Sequence, residues 1–270
     1  MNRRKFMHRA AATAAGFGIL RNVQGCAPPT PPGPPPPVLF TGTFTELRDR
    51  YFLYSLDRNP VTSTYLGGDG YSPTLATANS RLRDYRAESI AAELAFYRSM
   101  KASIVAVAAV TAAPAVPATG AQPAGTPTPP ALSPRDRADY ELMIAQLDFL
   151  MHQMGDLKYH LRSLDTYVSE PFRGIDWQIQ QMAELPGGLL GQESDWQQVV
   201  TRTLAIPAYL EVAKANLLAG KAAGIIPDRR MVQRDGINGS ASNAEYFRTT
   251  LPKTAQQFIG TRPFAPPMVA

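Results

Sequence analysis

The chain is 270 residues long, 44% hydrophobic and 18% charged, which is enough apolar material to bury one sizeable core or two modest ones. A single cysteine excludes an internal disulfide framework, a zinc ribbon and an iron–sulfur cluster. The formal charge of +5 resides in Arg3, Arg4, Lys5, Arg9 and Arg21. Without those five of the 27 bases, 22 remain against 22 acids, which disfavours a basic surface for nucleic acid.

Residues 1–26 read as an export signal. Arg3-Arg4 and Phe6 precede a mild, alanine-rich apolar run from Ala10 to Leu20, the build of a twin-arginine (Tat) signal in which a receptor reads the arginine pair. The run is too short to span a bilayer. Val23-Gln24-Gly25-Cys26 follows directly and is similar to a bacterial lipobox, which makes Cys26 the expected lipidation site. The competing reading is an unanchored Tat substrate cleaved elsewhere, with Cys26 a bystander. Lipidation would anchor the protein to the membrane on the periplasmic or cell-envelope side, since several acyl chains hold where one is marginal. Residues 27–42, with eight prolines between Pro28 and Pro37, read as a semi-rigid spacer.

The region 43–270 reads as one all-α domain, an antiparallel bundle-like array of helices. Thr43 and Glu46 form a capping box. Phe44, Leu47, Tyr51 and Tyr54 then recur at helical spacing until Asn59-Pro60 ends the first helix near Arg58. Val61 to Pro73 is expected as a loop because of Gly67-Gly68-Asp69-Gly70. A second helix is expected from Thr77 to about Val110. The uncharged segment 111–132, rich in alanine, proline and threonine, cannot bury enough to offset its ordering entropy and is expected to be a disordered insertion.

Ser133, Pro134 and Asp136 restart a helix whose apolar face extends to roughly Leu164. Further helices are expected over Ile175–Leu185 and Ser194–Leu218, the latter kinked at Pro207 and closed by Gly220 or Gly224. Another opens at Pro227-Asp228, and a last one at a capping box, Ser242 to Glu245.

Little in the sequence announces chemistry. A zinc hydrolase of the His-Glu-x-x-His type needs two imidazoles one helical turn apart, and that motif is absent. His152 and His160, eight residues apart on one helix, would stand about 12 Å from each other and cannot share an ion; His8 lies in the signal. No Gly-x-Ser-x-Gly elbow, phosphate loop or dinucleotide fingerprint occurs. Asp136, Asp139 and Glu141 suit a helix N-terminus more than a carboxylate cluster. The aromatic residues Tyr51, Phe52, Tyr54, Tyr85, Phe96, Tyr97, Trp177 and Trp196 could stack a ligand, but helical packing is the plainer use.

Several phrases occur together in a specific order: Asn59-Pro60-Val61-Thr62-Ser63-Thr64-Tyr65-Leu66-Gly67, Leu132 to Tyr140, Trp196 to Val200, Ile206 to Leu210 and Ala219 to Pro227. Over about residues 43–235 they resemble the amino-terminal half of the bacterial family called domain of unknown function 885, whose exported members include lipoproteins. The resemblance implies a helical fold similar to that of zinc-dependent, metallopeptidase-like hydrolases. In that family the His-Glu-x-x-His helix lies downstream of the matched part, so zinc is expected only in a longer member and no catalytic or metal residue is carried over to this chain.

Two readings of function follow. The first is an exported, lipid-anchored front part of such an enzyme, inactive alone, with a peptide substrate and a missing carboxy-terminal half as its partners. Leu204, Leu210, Leu217 and Phe258 are then expected to form an exposed apolar patch, and the apolar closing segment Arg262–Ala270 agrees with that reading. The second is a complete non-enzymatic envelope protein that binds peptides or partner proteins.

Overall fold

The Thr43 hydroxyl accepts the Glu46 amide at 3.3 Å and the Glu46 carboxylate accepts the Thr43 amide at 2.7 Å, a reciprocal cap that starts α1 (Phe44–Arg58) where the sequence places it. The computed structural model describes residues 37–112, 132–184 and 190–259, which all fall in one compact unit. The export signal with Arg3, Arg4 and Cys26, most of the spacer, residues 113–131 of the insertion, Gly187-Gly188 and the closing segment lie outside the described residues. Every regular element among the described residues is helical, so the protein is all-α.

Several boundaries differ from those expected. Pro60 opens a short helix, α2 (Pro60–Tyr65), in place of a loop, because its fixed φ suits the first helical turn. The helix expected from Thr77 begins ten residues later as α3 (Ala87–Ala112). Between them run three 3₁₀ turns, Gly68–Gly70, Pro73–Leu75 and Ala78–Ser80, followed by an extended stretch. That stretch is held out of helix by distant partners. Arg202 takes the carbonyls of Ala78 and Arg81, and Glu170 takes the Arg83 amide. The Asp84 side chain accepts the Arg86 amide at 3.0 Å, a local bond that competes with helix and marks the start of α3.

Ser133 caps α4 (Pro134–Met151) as the sequence indicates, its hydroxyl accepting the Asp136 amide. The helix stops at Met151 and does not reach Leu164. A π-turn (His152–Asp156), Lys158 at φ 45° and a 3₁₀ turn (Tyr159–Leu161) reverse the chain. The next helix, α5 (Leu164–Ala183), therefore starts eleven residues before the expected Ile175 and contains Pro171 in its interior. An interior proline costs about 3 kcal/mol; the burial of Tyr167, Ile175 and Met182 on either side of it outweighs that.

Pro207 splits the next helix instead of kinking it. α6 (Glu193–Leu204) ends at Ala205, and α7 (Ile206–Ala222) carries Pro207 in its first turn. α7 closes as expected on Gly224, at φ 73°, with the Ile225 amide bonded to the Gly220 carbonyl at 2.8 Å. Asp228 caps α8 (Arg229–Met231), and the chain stays helical through a π-turn (Val232–Asn238), α9 (Gly239–Glu245), a second π-turn (Tyr246–Thr250) and α10 (Leu251–Ile259). Ser242 thus lies inside this run and starts nothing; Asn243 donates to the Val168 carbonyl at 2.6 Å, tying α9 to α5.

Two apolar clusters hold the array. The larger gathers Leu47, Tyr97, Met100, Ile104, Leu147 and Tyr167 from α1, α3, α4 and α5, with Tyr209 and Ala213 of α7. Phe40 docks on it, its amide bonded to Ser103 at 2.8 Å, and Leu132 packs there too. The smaller joins Ile175 and Met182 of α5 to Trp196 and Val199 of α6. Helix α5 contributes to both, which fixes its position. The expected apolar patch is divided: Leu204 and Leu210 are exposed, Leu217 packs on the main core, and the Phe258 side chain lies outside the described residues.

Candidate functional site

One face of α5 forms the wall of a cleft of about 480 Å³. Asp165, Ser169, Arg173 and Trp177 line it at intervals of four, with Thr166 and Glu170 one step around the helix. Opposite them stand Asn59, Val61 and Thr62 from the start of α2, Arg83 and Tyr85 from the extended stretch, and Arg234 and Asp235 from the π-turn after α8. The lining is mostly polar and carries both signs of charge.

The floor is a closed network. Glu170 accepts the Arg83 amide on one carboxylate oxygen and the hydroxyls of Tyr85 and Tyr209 on the other, each at 3.1 Å. Burial pushes its carboxyl above the ordinary range, against the pull of the Arg83 amide and guanidinium and the two phenols. The Tyr85 and Tyr209 hydroxyls are raised in turn, first by burial and then by that carboxylate. The rings of Tyr85, Tyr167 and Tyr209 meet edge to face at 5.0 to 6.2 Å, and Asn216 links the Tyr85 carbonyl to the Tyr167 hydroxyl. Beside them Arg83 grips the fully buried Glu93 through two bonds of 2.9 Å and donates to Asn59. Tyr97 completes Glu93 at 2.5 Å.

Arg202 pins the outer wall. It is fully buried and donates to the carbonyls of Arg81 (3.0 Å), Gly174 (2.5 Å) and Ala78 (2.5 Å), the Thr64 hydroxyl (2.7 Å) and the Gln178 amide oxygen (3.4 Å). This one side chain ties α6 to α2, to α5 and to the extended stretch. Burial draws its pKa down to about 9, which leaves it charged at neutral pH.

The cleft keeps groups that the fold does not use. Arg173 has no carboxylate partner among the described residues; its guanidinium sits 5.8 Å from the Trp177 ring, which packs against Tyr65 at 4.8 Å. Asp165 Oδ1 and Arg83 Nε are buried without hydrogen-bond partners. Arg234 and Asp235, by contrast, are closed on each other at 2.6 and 2.7 Å.

The residues singled out by the sequence sit elsewhere. His152 is exposed and pairs with Asp156 at 2.9 Å. His160 is on a separate turn, half-buried, with Nδ1 unpartnered; burial, then Lys158 and Arg83, lower its pKa. Neither histidine lines the cleft, and among the described residues no group of three histidine, cysteine, aspartate or glutamate side chains could hold a metal ion. The described donor set does not fit a zinc centre. Asp136 and Asp139 lie within 3.6 and 3.1 Å of Arg48, fastening α4 to α1. Tyr51, Tyr85, Tyr97 and Trp196 are buried packing residues, Tyr54 stacks on Phe96 at 3.5 Å, and Phe52 is exposed against Tyr71; of the aromatics named, Tyr85 and Trp177 line the cleft.

The Asp165–Ser169–Arg173–Trp177 row was legible only to a reading that began α5 at Leu164. What the arrangement can do is hold an extended polar ligand of mixed charge. No curated protein and no solved structure matches the chain. Residues 60–265, which include every cleft-lining side chain except Asn59, match the family model described as bacterial protein of unknown function (DUF885), and the chain belongs to that family.

Proposed function

We propose that this is an exported, lipid-anchored helical protein that binds peptides in the cleft along α5. In this reading it corresponds to the substrate-holding front part of a metallopeptidase-like hydrolase and does not cleave peptides by itself. The observation that carries the reading is a set of polar groups with no hydrogen-bond or carboxylate partner among the described residues, on side chains that line one cleft: the Arg173 guanidinium, Asp165 Oδ1 and Arg83 Nε. A peptide presents carbonyls, amides and charged ends in the same spaced order, and Trp177 with Tyr65 gives an apolar face for a side chain. Export and anchoring rest on Arg3, Arg4 and Cys26 in the sequence; no helix among the described residues is long and apolar enough to cross a membrane.

Titration calorimetry of the full chain with a mixed peptide digest tests binding, and absence of heat at millimolar peptide overturns it. Incubating the same mixture with added zinc tests the second clause: cleavage stopped by a chelator would make the chain an enzyme in its own right. Membrane fractionation of Cys26→Ala tests anchoring, and unchanged membrane recovery ends the lipoprotein reading.

A further inference from the structure

Two charges in the cleft that have no ion-pair partner among the described residues have opposite sign and lie on one helix. Asp165 and Arg173 both line the cleft from α5, and eight residues at about 1.5 Å rise per residue set them about 12 Å apart along its axis. Neither is closed in an ion pair among the described residues, although Asp165 also stands in the first turn of α5, where its charge suits the helix dipole. Asp165 Oδ1 is buried with no donor, although a buried acceptor without a partner ordinarily costs about 1–3 kcal/mol. Arg173 has only the Trp177 ring among the described residues. Arg234 lies near enough to Asp165 to feel its charge, yet its guanidinium is taken by Asp235 through two bonds, so the pair does not neutralise Asp165. Ser169 lies between the two charged residues in the same row, and Arg83 Nε, also without a partner, lines the same cleft.

We propose that the cleft recognises short peptides by both free ends, with the terminal ammonium at Asp165 and the terminal carboxylate at Arg173, and so selects chains of about three or four residues. This rests on the peptide-binding reading above and narrows it. An extended chain advances about 3.3–3.6 Å per residue. A dipeptide spans only about 7 Å, well short of the rise of about 12 Å between the two positions on α5, whereas three or four residues span about 10–14 Å. A longer chain must leave one end outside. Ser169 and Arg83 Nε would take the intervening backbone groups, and the Trp177–Tyr65 pair would receive an apolar carboxy-terminal side chain. A bond between an end group and a fully charged partner is of the strong, charge-assisted kind, which is why capping an end should be felt so sharply.

The experiment is calorimetry of the full chain with dialanine, trialanine, tetraalanine and hexaalanine, each free, N-acetylated, C-amidated and doubly blocked. The expected result is tightest binding for trialanine or tetraalanine, with about a tenfold loss on blocking either end. In Asp165→Asn the N-acetyl group should cease to matter while the amide still does; in Arg173→Gln the reverse should hold. Both side chains are outside the core, and thermal melts check that the variants fold; the blocked peptides test the idea on the unaltered protein in any case. If doubly blocked peptides bind as well as free ones, end recognition is wrong and peptide binding stands. If the mixed digest binds but no alanine peptide does, side chains carry recognition and this inference fails alone. If nothing binds, the peptide reading itself falls.

Discussion

Replacing Arg202 by methionine gives the sharpest test of how the cleft wall is held. Methionine fills much of the same volume but donates nothing. The carbonyls of Ala78, Arg81 and Gly174 and the Thr64 hydroxyl would each lose a charged donor that now lies within 3.0 Å. A buried acceptor left with no donor costs about 1–3 kcal/mol, and less where a partner remains, as for the Ala78 carbonyl, which keeps the Arg81 amide, and the Thr64 hydroxyl, which keeps Pro60 and Asn79. Part of the loss is cancelled, because burying a guanidinium that has no carboxylate in contact among the described residues costs several kcal/mol by itself. The net destabilisation expected is about 3–5 kcal/mol, a large share of the 5–15 kcal/mol typical of a whole domain. In urea, followed by helical circular dichroism, a slope of about 2 kcal/mol per molar turns this into a midpoint lowered by about 2 M. Arg202→Lys separates hydrogen bonding from charge. Its ammonium keeps the burial penalty but cannot fork to carbonyls on three segments, so it should be at least as damaging as methionine. A methionine variant within about 1 kcal/mol of the parent, or a lysine variant that restores stability, would refute the claim that carbonyl satisfaction is what Arg202 supplies.

Glu170 should leave a pH signature. Its folded-state pKa is raised, so the folded protein keeps this proton over a range where the unfolded chain has lost it. The associated stability is full below the unfolded value of about 4.3 and declines as pH rises through the folded value. Glu170→Gln removes the titration, and its melting temperature relative to the parent should rise between about pH 4 and pH 7; a constant difference would contradict the raised carboxyl. Gly220→Ala should destabilise by about 3 kcal/mol, since a Cβ there would lie 2.1 Å from the Leu161 carbonyl oxygen and 2.8 Å from that of Ile225. Gly224→Ala, at φ 73° in open space, should cost only about 1 kcal/mol, and thermal melts of the two variants check the ranking. Thr43→Ala should lose about 1 kcal/mol through the α1 cap, measurable in the same melts.

What could be read from the sequence was decided by near neighbours. The Thr43–Glu46 and Ser133–Asp136 caps and the Gly224 stop involve partners within a few residues, so residue type and spacing suffice. The family resemblance was legible for the same reason, being carried by short phrases in order. The stretch 77–86 was misread as helix because its backbone partners, Glu170 and Arg202, lie 87 to 124 residues away. Its apolar spacing contains nothing that announces them. The Ser242 box failed in the opposite sense: the local pattern is a real capping pattern, but the chain arrives already helical, and Asn243 is drawn to Val168 of α5.

The missed start of α5 matters most for function, since it hid the row on which the cleft is built. Leu164 to Gly174 reads poorly as helix because Pro171 and Gly174 both disfavour one. Gly174 is retained for space: a Cβ there would sit 3.1 Å from Val61 and 3.2 Å from Arg202. α5 therefore accepts a poor helix former at Gly174, where it must touch α2 and the Arg202 fork. The same contacts set the rotation of the helix, because Gly174, Ile175 and Gln178 face inward and the i, i+4 row of Asp165, Ser169, Arg173 and Trp177 is thereby left to the cleft. The propensity rule that obscured the helix and the geometry that assembles the site thus have one cause, the close approach of α5 to Arg202.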